Sequence, residues 1–333
     1  MIFHPAIIAL LLGSTLMSLM LLYSAYFGLS ILKKWDIKSG SELQLTLERR
    51  TYLISTIVAY AFGFQLASFF LFVFTAENLH TLFVGAMCAA GTLNVNAYGY
   101  PAVFLKIMNF LLAGVWLIIN HADNRAFDYP LIKNKYLFLA AIMPFIFAEI
   151  IIQGAYFLNL KANIITSCCG SLFSSEQKGI TSEIAALPLI PMSIFFYATV
   201  ASTFTAGIFF YRKGNRKTGT LFSLLSALTF FVSVSALISF ISLYFYELPS
   251  HHCPFCILKR EYGYVGYVLY LALLGGAVSG IGAGTLMLFQ KAASLSEIIP
   301  AIQKKLTLSA LIFYIIFTGI VTYKIIFSHF TLR

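Results

Sequence analysis

The sequence predicts an all-α membrane protein with several helices that cross the bilayer. Hydrophobic residues make up 60% of the 333-residue chain and charged residues only 10%, whereas about a quarter of the residues in a soluble domain are charged. Apolar runs of roughly 20 residues, the length with which a helix spans a bilayer, recur along the whole chain. The alternating segments of about ten residues that are typical of membrane β-barrels do not occur in it.

The apolar runs predict eight spanning helices within one integral membrane domain, 1–333. A further apolar stretch, 79–100, contains Gly, Asn and Pro residues that interrupt or cap a helix. Its residues are compatible with a segment that crosses the membrane and with one that enters and returns. The predicted spans are 5–32, 51–76, 102–120, 136–158, 187–211, 219–246, 263–289 and 306–327.

The distribution of Lys and Arg decides between these two paths. If 79–100 enters and returns, one face of the protein collects fifteen of the 22 Lys and Arg. If it crosses, the five basic residues of 33–50 change sides and the division becomes ten to twelve. Because Lys and Arg accumulate in cytoplasmic loops, we expect a re-entrant segment at 79–100 and both termini outside. The fifteen residues are Lys33, Lys34, Lys38, Arg49, Arg50, Arg125, Lys133, Lys135, Arg212, Lys213, Arg216, Lys217, Lys291, Lys304 and Lys305.

The same distribution bears on the partners of the protein. The formal net charge is +10, but the basic residues form short clusters between apolar runs. A nucleic-acid-binding face needs a basic stripe on a soluble domain, so the expected partner is the lipid bilayer, and other membrane subunits are compatible with it.

Segment 39–50 begins with a capping-box pattern, Ser39 to Glu42, and predicts a short interfacial helix.

Five cysteines carry the clearest chemical signal: Cys88, Cys168, Cys169, Cys253 and Cys256. Under the predicted topology all five lie on or near the outer face. We expect a bacterial inner-membrane protein whose cysteine loops face the periplasm, which is an oxidising compartment.

The strongest local motif is ELPSHHCPFCILKREYGYVGY, residues 247–267. Its C-x-x-C pair, Cys253 and Cys256, holds two sulfurs close enough to form a disulfide or to share a soft metal ion. We expect the pair at the start of a helix, where unpaired backbone N–H groups favour a thiolate. His251 and His252 supply imidazoles that can act as bases or as metal ligands.

The stretch CPFCILKR resembles the motif of the quinone-linked, disulfide-forming membrane proteins of the DsbB type, whose general logic vitamin K epoxide reductase relatives share. The resemblance is confined to Cys253–Arg260, and the order of the two cysteine pairs is reversed. It implies that Arg260 lies near a quinone and that Cys168 and Cys169 form the second external pair, which exchanges with a partner protein. The leading hypothesis is an outward-facing thiol–disulfide oxidoreductase coupled to quinone.

Two other functions remain open. Vicinal Cys168 and Cys169 could form an easily reduced disulfide or bind Cu(I) as thiolates. Together with the C-x-x-C pair, they could build an external copper site that receives its ion from a metal-carrying protein. The third possibility is a structural or electron-transfer subunit of a larger complex, in which the cysteines form stabilising disulfides. The further ligands of the predicted metal site are His251, His252, Cys88 and His80.

An acid within the fourth predicted span, Glu149, is a candidate for proton handling, because a charged group in a membrane helix is costly and is by default a functional candidate. A protonated carboxyl that forms an interhelical hydrogen bond is the alternative. We expect it to face the bundle interior at a depth that a re-entrant loop can reach. Asn94, Asn96 and Tyr98 of that loop would then supply amide and phenol groups to one pocket, with a quinone head group as its occupant.

Overall fold

The computed structural model describes residues 3–37, 39–161, 165–166, 180–290 and 292–330. Every regular element in these ranges is helical. We number the helices in chain order and treat 3₁₀ turns separately. The helices are α1 Pro5–Lys34, α2 Glu42–Asn78, α3 Ala89–Leu93, α4 Gly99–Asp123, α5 Ile132–Leu158, α6 Ile180–Ala185, α7 Leu189–Lys213, α8 Arg216–Tyr246, α9 Val265–Thr285 and α10 Ile298–Phe327.

Eight of the helices in the described part of the chain are long and apolar enough to cross a membrane, as predicted: α1, α2, α4, α5 and α7 to α10. Their outer surfaces are apolar as well. Leu12, Phe104 and Ile151, for example, are 66–69% exposed. Large apolar side chains on the outside of long helices suit lipid contact, so the chain fits an integral membrane protein.

Two local predictions are corrected or refined. Segment 39–50 is not a separate interfacial helix, because from Glu42 onwards it forms the first turns of α2. The cap is Ser41 rather than Ser39: the Ser41 hydroxyl accepts the N–H of Gln44 at 3.3 Å. The Gln44 side chain in turn accepts the N–H of Asp36 at 3.1 Å, which ties the α1–α2 turn to the new helix.

The ambiguous stretch between α2 and α4 contains no long helix. It has a 3₁₀ turn at Leu79–Leu82 and the five-residue α3. Gly85 lies between them with φ +87°, and a Cβ there would fall 2.3 Å from the carbonyl oxygen of Thr166. Only glycine allows this approach without strain. The re-entrant path itself stays a prediction.

The chain divides into two compact units. The first comprises 1–72, 97–160 and 285–303, and thus holds α1, most of α2, α4 and α5. Its apolar core includes Phe62, Trp116 and Tyr136. Lys135, which we counted among the orienting charges, is buried there and pairs with Asp123 at 2.7 Å.

The second unit comprises 73–96, 161–284 and 304–333 and contains α3 and α6 to α9, together with most of α10. Small residues on α9 permit close helix packing within it. A Cβ at Gly280 would lie 2.2 Å from the hydroxyl oxygen of Ser226, and one at Gly284 would lie 2.2 Å from Cβ of Ser223. Glycines at a four-residue spacing therefore allow α9 to approach α8 closely.

Candidate metal centre

Three cysteine sulfurs converge in the second unit. The Sγ atoms of Cys88, Cys253 and Cys256 all lie within 4.8 Å of one another, and those of Cys88 and Cys253 are 3.6 Å apart. The three side chains are buried, and in the described chain they form no disulfide with one another. Cys88 and Cys253 are 165 positions apart in the chain. We call Cys88, Cys253 and Cys256 together the thiol cluster.

Cys88 is held in place by the helix that it begins. Its carbonyl accepts the N–H groups of Gly91 at 3.0 Å and Thr92 at 3.4 Å, so the first turn of α3 closes on it. The carboxylate of Glu77, at the end of α2, accepts the N–H of Ala89 at 2.7 Å. An acid at a helix N-terminus satisfies a backbone donor that has no partner within the helix. Glu77 therefore fixes the turn that carries Cys88.

The C-x-x-C pair does not lie at the start of a long helix, so that prediction is wrong. Cys256 begins a single 3₁₀ turn, Cys256–Leu258, and α9 starts only at Val265. Between them the chain reverses through Gly263 and Tyr264, both with positive φ. A three-residue turn has no substantial dipole, so other groups must stabilise charge on these sulfurs.

Tyrosines from two long helices hold the backbone of the motif. The hydroxyl of Tyr246, the last residue of α8, donates to the carbonyl of Cys253 at 2.6 Å. The hydroxyl of Tyr270 on α9 donates to the carbonyl of Pro254. Buried phenols need such acceptors, and by using carbonyls of the loop they orient Cys253 towards Cys88.

The two adjacent histidines have different surroundings. Nε2 of His251 lies 3.3 Å from Sγ of Cys256, and its ring packs edge-on against Tyr246 with centroids 4.5 Å apart. Nδ1 of His252 instead lies 2.9 Å and 3.0 Å from the carbonyl oxygens of Ile238 and Ser239. Because both of these partners are acceptors, Nδ1 of His252 must carry a hydrogen. His251 is therefore the histidine placed beside the sulfurs.

The site of His252 explains a local distortion of α8. Leu237–Ile241 is a π-helical turn, which shifts carbonyls away from the regular α-helical pattern. Two of those carbonyls face His252. The C-x-x-C loop is thus fastened to α8 at this turn as well as at Tyr246.

The remaining predicted residues of the cysteine site lie apart from this cluster or outside the described residues. Nδ1 of His80 contacts the backbone carbonyl and the carboxylate of Glu77. Arg260 is exposed in the 3₁₀ turn Arg260–Tyr262. Cys168 and Cys169 fall outside the residues that the structure describes.

An aromatic wall continues from the cluster to the surface. The ring of Tyr262 packs against that of Tyr246 with centroids 5.1 Å apart. Burial raises the pKa of Tyr262, and the proximity of Cys256 and Glu261 raises it further. The phenol therefore stays neutral beside the sulfurs at physiological pH.

Glu149 lies in the first unit and is buried. Its carboxylate accepts from Gln65 at 2.5 Å, Asn109 at 2.6 Å and Lys106 at 2.7 Å. Its partners are thus residues of α2 and α4 rather than the amides we predicted. Asn94 and Asn96 are half-buried near the end of α3, and Tyr98 is 43% exposed.

Sequence reasoning missed Lys106, Gln65 and Asn109. The available signal was a single lysine within the apolar run 102–120, because an isolated charge there needs a partner.

Comparison with known proteins adds no family to this description: no family model, no curated protein and no solved structure matches the chain.

Proposed function

We propose that this integral membrane protein binds a thiophilic metal ion, Cu(I) or Zn(II), through Cys88, Cys253 and Cys256, with His251 as the fourth donor. The observation that carries the proposal is the convergence of three buried sulfurs within 4.8 Å of one another. Nε2 of His251 lies 3.3 Å from the Cys256 sulfur, and it would have to move closer to the other two sulfurs to become the fourth ligand atom.

The distances suit a metal centre. A Zn–S bond of about 2.3 Å puts two sulfurs of a tetrahedral site about 3.8 Å apart. The Cys88 and Cys253 sulfurs are 3.6 Å apart. Thiolates also select Cu(I). With His251 as the fourth donor, the site would be closed and four-coordinate, which favours retention of a metal ion over turnover of a substrate.

The surroundings support the same function. Buried thiols are neutral and behave as small apolar groups, so the cluster can be assembled before a metal arrives. Metal binding then displaces the thiol protons. Glu77, Tyr246 and Tyr270 act on the ligand-bearing backbone through hydrogen bonds. Outer groups of this kind orient metal ligands and tune affinity.

The test is metal binding by the purified full-length protein. We expect one Cu(I) or one Zn(II) per chain, measured by competition with a chromophoric chelator of each ion, and sulfur-rich coordination in X-ray absorption. Each of Cys88→Ser, Cys253→Ser and Cys256→Ser should abolish stoichiometric binding. Cys168→Ser and Cys169→Ser are the matched controls and should retain it. Stoichiometric binding by the triple variant of the cluster would disprove the proposal.

Thiol–disulfide exchange is the second candidate, because a third sulfur lies beside the C-x-x-C pair. A thiolate at Cys88 could attack a Cys253–Cys256 disulfide at Cys253, 3.6 Å away. A Cys88–Cys253 disulfide would form and Cys256 would leave as a thiolate. This exchange only moves the disulfide within the cluster. A dithiol of a partner protein would then reduce it and become a disulfide itself, and a quinone would reoxidise the two resulting cluster thiols by accepting two electrons and two protons. The exposed Arg260 and the Cys168–Cys169 pair would serve the roles that the resemblance implies.

A thiol count separates the two candidates. The protein is alkylated under denaturing conditions with and without prior reductant, and its intact mass and metal content are measured on the same sample. Free thiols with a stoichiometric metal ion support metal binding. Reducible disulfides that reform on addition of a soluble quinone, without metal, support exchange. A chain with neither property, whose fold survives loss of the cluster, would be a structural subunit.

A further inference from the structure

The first unit contains a second buried polar centre, separate in its residues from the thiol cluster. Glu149 on α5 pairs with Lys106 on α4, and the side chains of the pair are 2% and 0% exposed. Lys106 also donates to the hydroxyl of Ser68 at 3.4 Å. Its ammonium lies 5.3 Å from the centre of the Phe72 ring. A full ion pair is thus enclosed within helices that are apolar enough to span a membrane.

Acceptors exceed donors in this centre. Gln65, Asn109 and Lys106 all donate to Glu149. The carbonyl oxygens of the same two amides, Oε1 of Gln65 and Oδ1 of Asn109, are buried without a hydrogen-bond partner among the described residues. A buried acceptor left without a donor costs about 1–3 kcal/mol. The centre therefore carries an energetic penalty in its ionised form.

An additional proton removes this imbalance. A side-chain amide can donate through its NH₂ group or, after rotation, accept through its carbonyl. With Glu149 ionised, the NH₂ groups of Gln65 and Asn109 face it. With Glu149 protonated, one amide can rotate so that its carbonyl accepts the new O–H. Both protonation states are thus hydrogen-bonded.

The groups around Glu149 are compatible with gain and loss of a proton at its carboxyl group. Helix α4 contributes Lys106 and Asn109, and α2 contributes Gln65 and Ser68. Helix α1 reaches the next turn of α5, where Gln153 donates to the Ser14 hydroxyl at 3.0 Å. Lys106 is the titratable side chain that contacts the carboxylate in the described part of the chain. When Glu149 is neutral, the Ser68 hydroxyl and the Phe72 ring still hold the ammonium.

We propose that Glu149 is a reversible proton-binding site inside the membrane-spanning part of the first unit. Lys106 is its counter-ion, and Gln65 and Asn109 are the amides that adapt to the bound proton. In the binding step a proton from water forms an O–H bond at a Glu149 carboxylate oxygen and the ion pair with Lys106 breaks. Nothing is oxidised or reduced. The site is independent of the metal-binding proposal.

The experiment is infrared titration of the full-length protein in detergent micelles. We expect the difference between the wild-type and Glu149→Gln spectra to contain a protonated-carboxyl C=O band that grows as the pH is lowered over the range in which the protein stays folded; the bands of the other carboxyls cancel in this difference. Asp123→Asn, which removes the other buried acid paired with a lysine, is the matched control and should keep the band. Labelling all Glu side-chain carboxyls with ¹³C should shift the band, which assigns it to a glutamate, and its loss in Glu149→Gln assigns it to Glu149.

The proposal also predicts the effect of the counter-ion. In Lys106→Met the band should be present at every pH tested, because an unpaired buried carboxylate takes up a proton instead of remaining charged. A wild-type minus Glu149→Gln difference spectrum with no pH-dependent carboxyl band would overturn the proposal and leave a fixed structural ion pair. The same band unchanged in Glu149→Gln would also overturn it.

Discussion

The thiol cluster of the second unit and the Lys106–Glu149 centre of the first unit are both buried, but they differ in charge. The cluster consists of thiols, which carry no charge while protonated, and the metal ion that we propose would displace their protons. The ion-pair centre is charged from the start and needs every partner to offset desolvation. Loss of one group should therefore mainly affect binding in the cluster and mainly affect folding in the ion-pair centre.

The largest effect is expected from Lys106→Met. Removing Lys106 leaves the buried Glu149 carboxyl without its counter-ion, so that it must take up a proton on folding, and loss of one partner of a buried ion pair costs about 3–5 kcal/mol. The free energy of unfolding, measured by denaturant titration in detergent, should fall by this amount. The double variant Lys106→Met with Glu149→Gln should recover most of the loss. A double variant less stable than the single one would contradict the view that the unpaired charge causes the effect.

Cys253→Ser should have the opposite effect: a large loss of metal affinity and a small loss of stability. The change is nearly isosteric, so we expect the metal-free protein to lose less than about 1.5 kcal/mol of stability. Affinity for Cu(I) or Zn(II) should fall by more than about 100-fold, because loss of a ligand exceeds the effect of changing a group behind it. Chelator competition measures the affinity, and a metal-free unfolding curve measures stability. Unchanged affinity would remove Cys253 from the metal site.

Glu77→Ala tests whether positioning of Cys88 matters. The Glu77 carboxylate holds the N–H of Ala89, so its loss frees the turn that carries the sulfur. We expect a fall in metal affinity of about 10–100-fold without loss of the bound stoichiometry. Glu77→Gln keeps an acceptor oxygen and should restore much of the affinity. Equal affinity in Glu77→Ala and wild type would show that the turn does not need this bond.

The two neighbouring histidines give the smallest and sharpest contrast. His251→Ala should weaken metal binding, because its Nε2 lies beside Cys256. His252→Ala should leave metal affinity nearly unchanged and lower the stability of the metal-free protein by about 1 kcal/mol, the value of a typical hydrogen bond. Affinity and unfolding are measured on both variants. Reversed effects would exchange the roles assigned to the two side chains.

Local pattern predicted the helices well because the bilayer sets their length. A spanning helix needs roughly 20 apolar residues, and such runs are visible in the sequence. The start of α9 was predicted at 263, close to the observed Val265. The helix start at the C-x-x-C pair was wrong because Gly263 and Tyr264, with positive φ, separate the motif from α9.

The candidate sites were predicted only in part. Cys253, Cys256 and Glu149 stood out by residue type and by their place in the chain. Lys106 did not, although its position within an apolar run was a usable signal. The separate roles of His251 and His252 could not be assigned, because adjacent residues share the same local sequence and differ only in what the fold places beside them.

The sequence by itself determined an all-helical chain with eight helices long and apolar enough to span a membrane and a chemically distinctive C-x-x-C loop, because apolar length and residue chemistry are local properties. Only the tertiary structure decided that Cys88 joins Cys253 and that Lys106 neutralises Glu149. These pairings connect residues far apart in the chain, and their geometry depends on how α2 to α5 and α8 to α9 pack within their units. Packing of this kind follows from the shape of many side chains together, which no short sequence pattern contains.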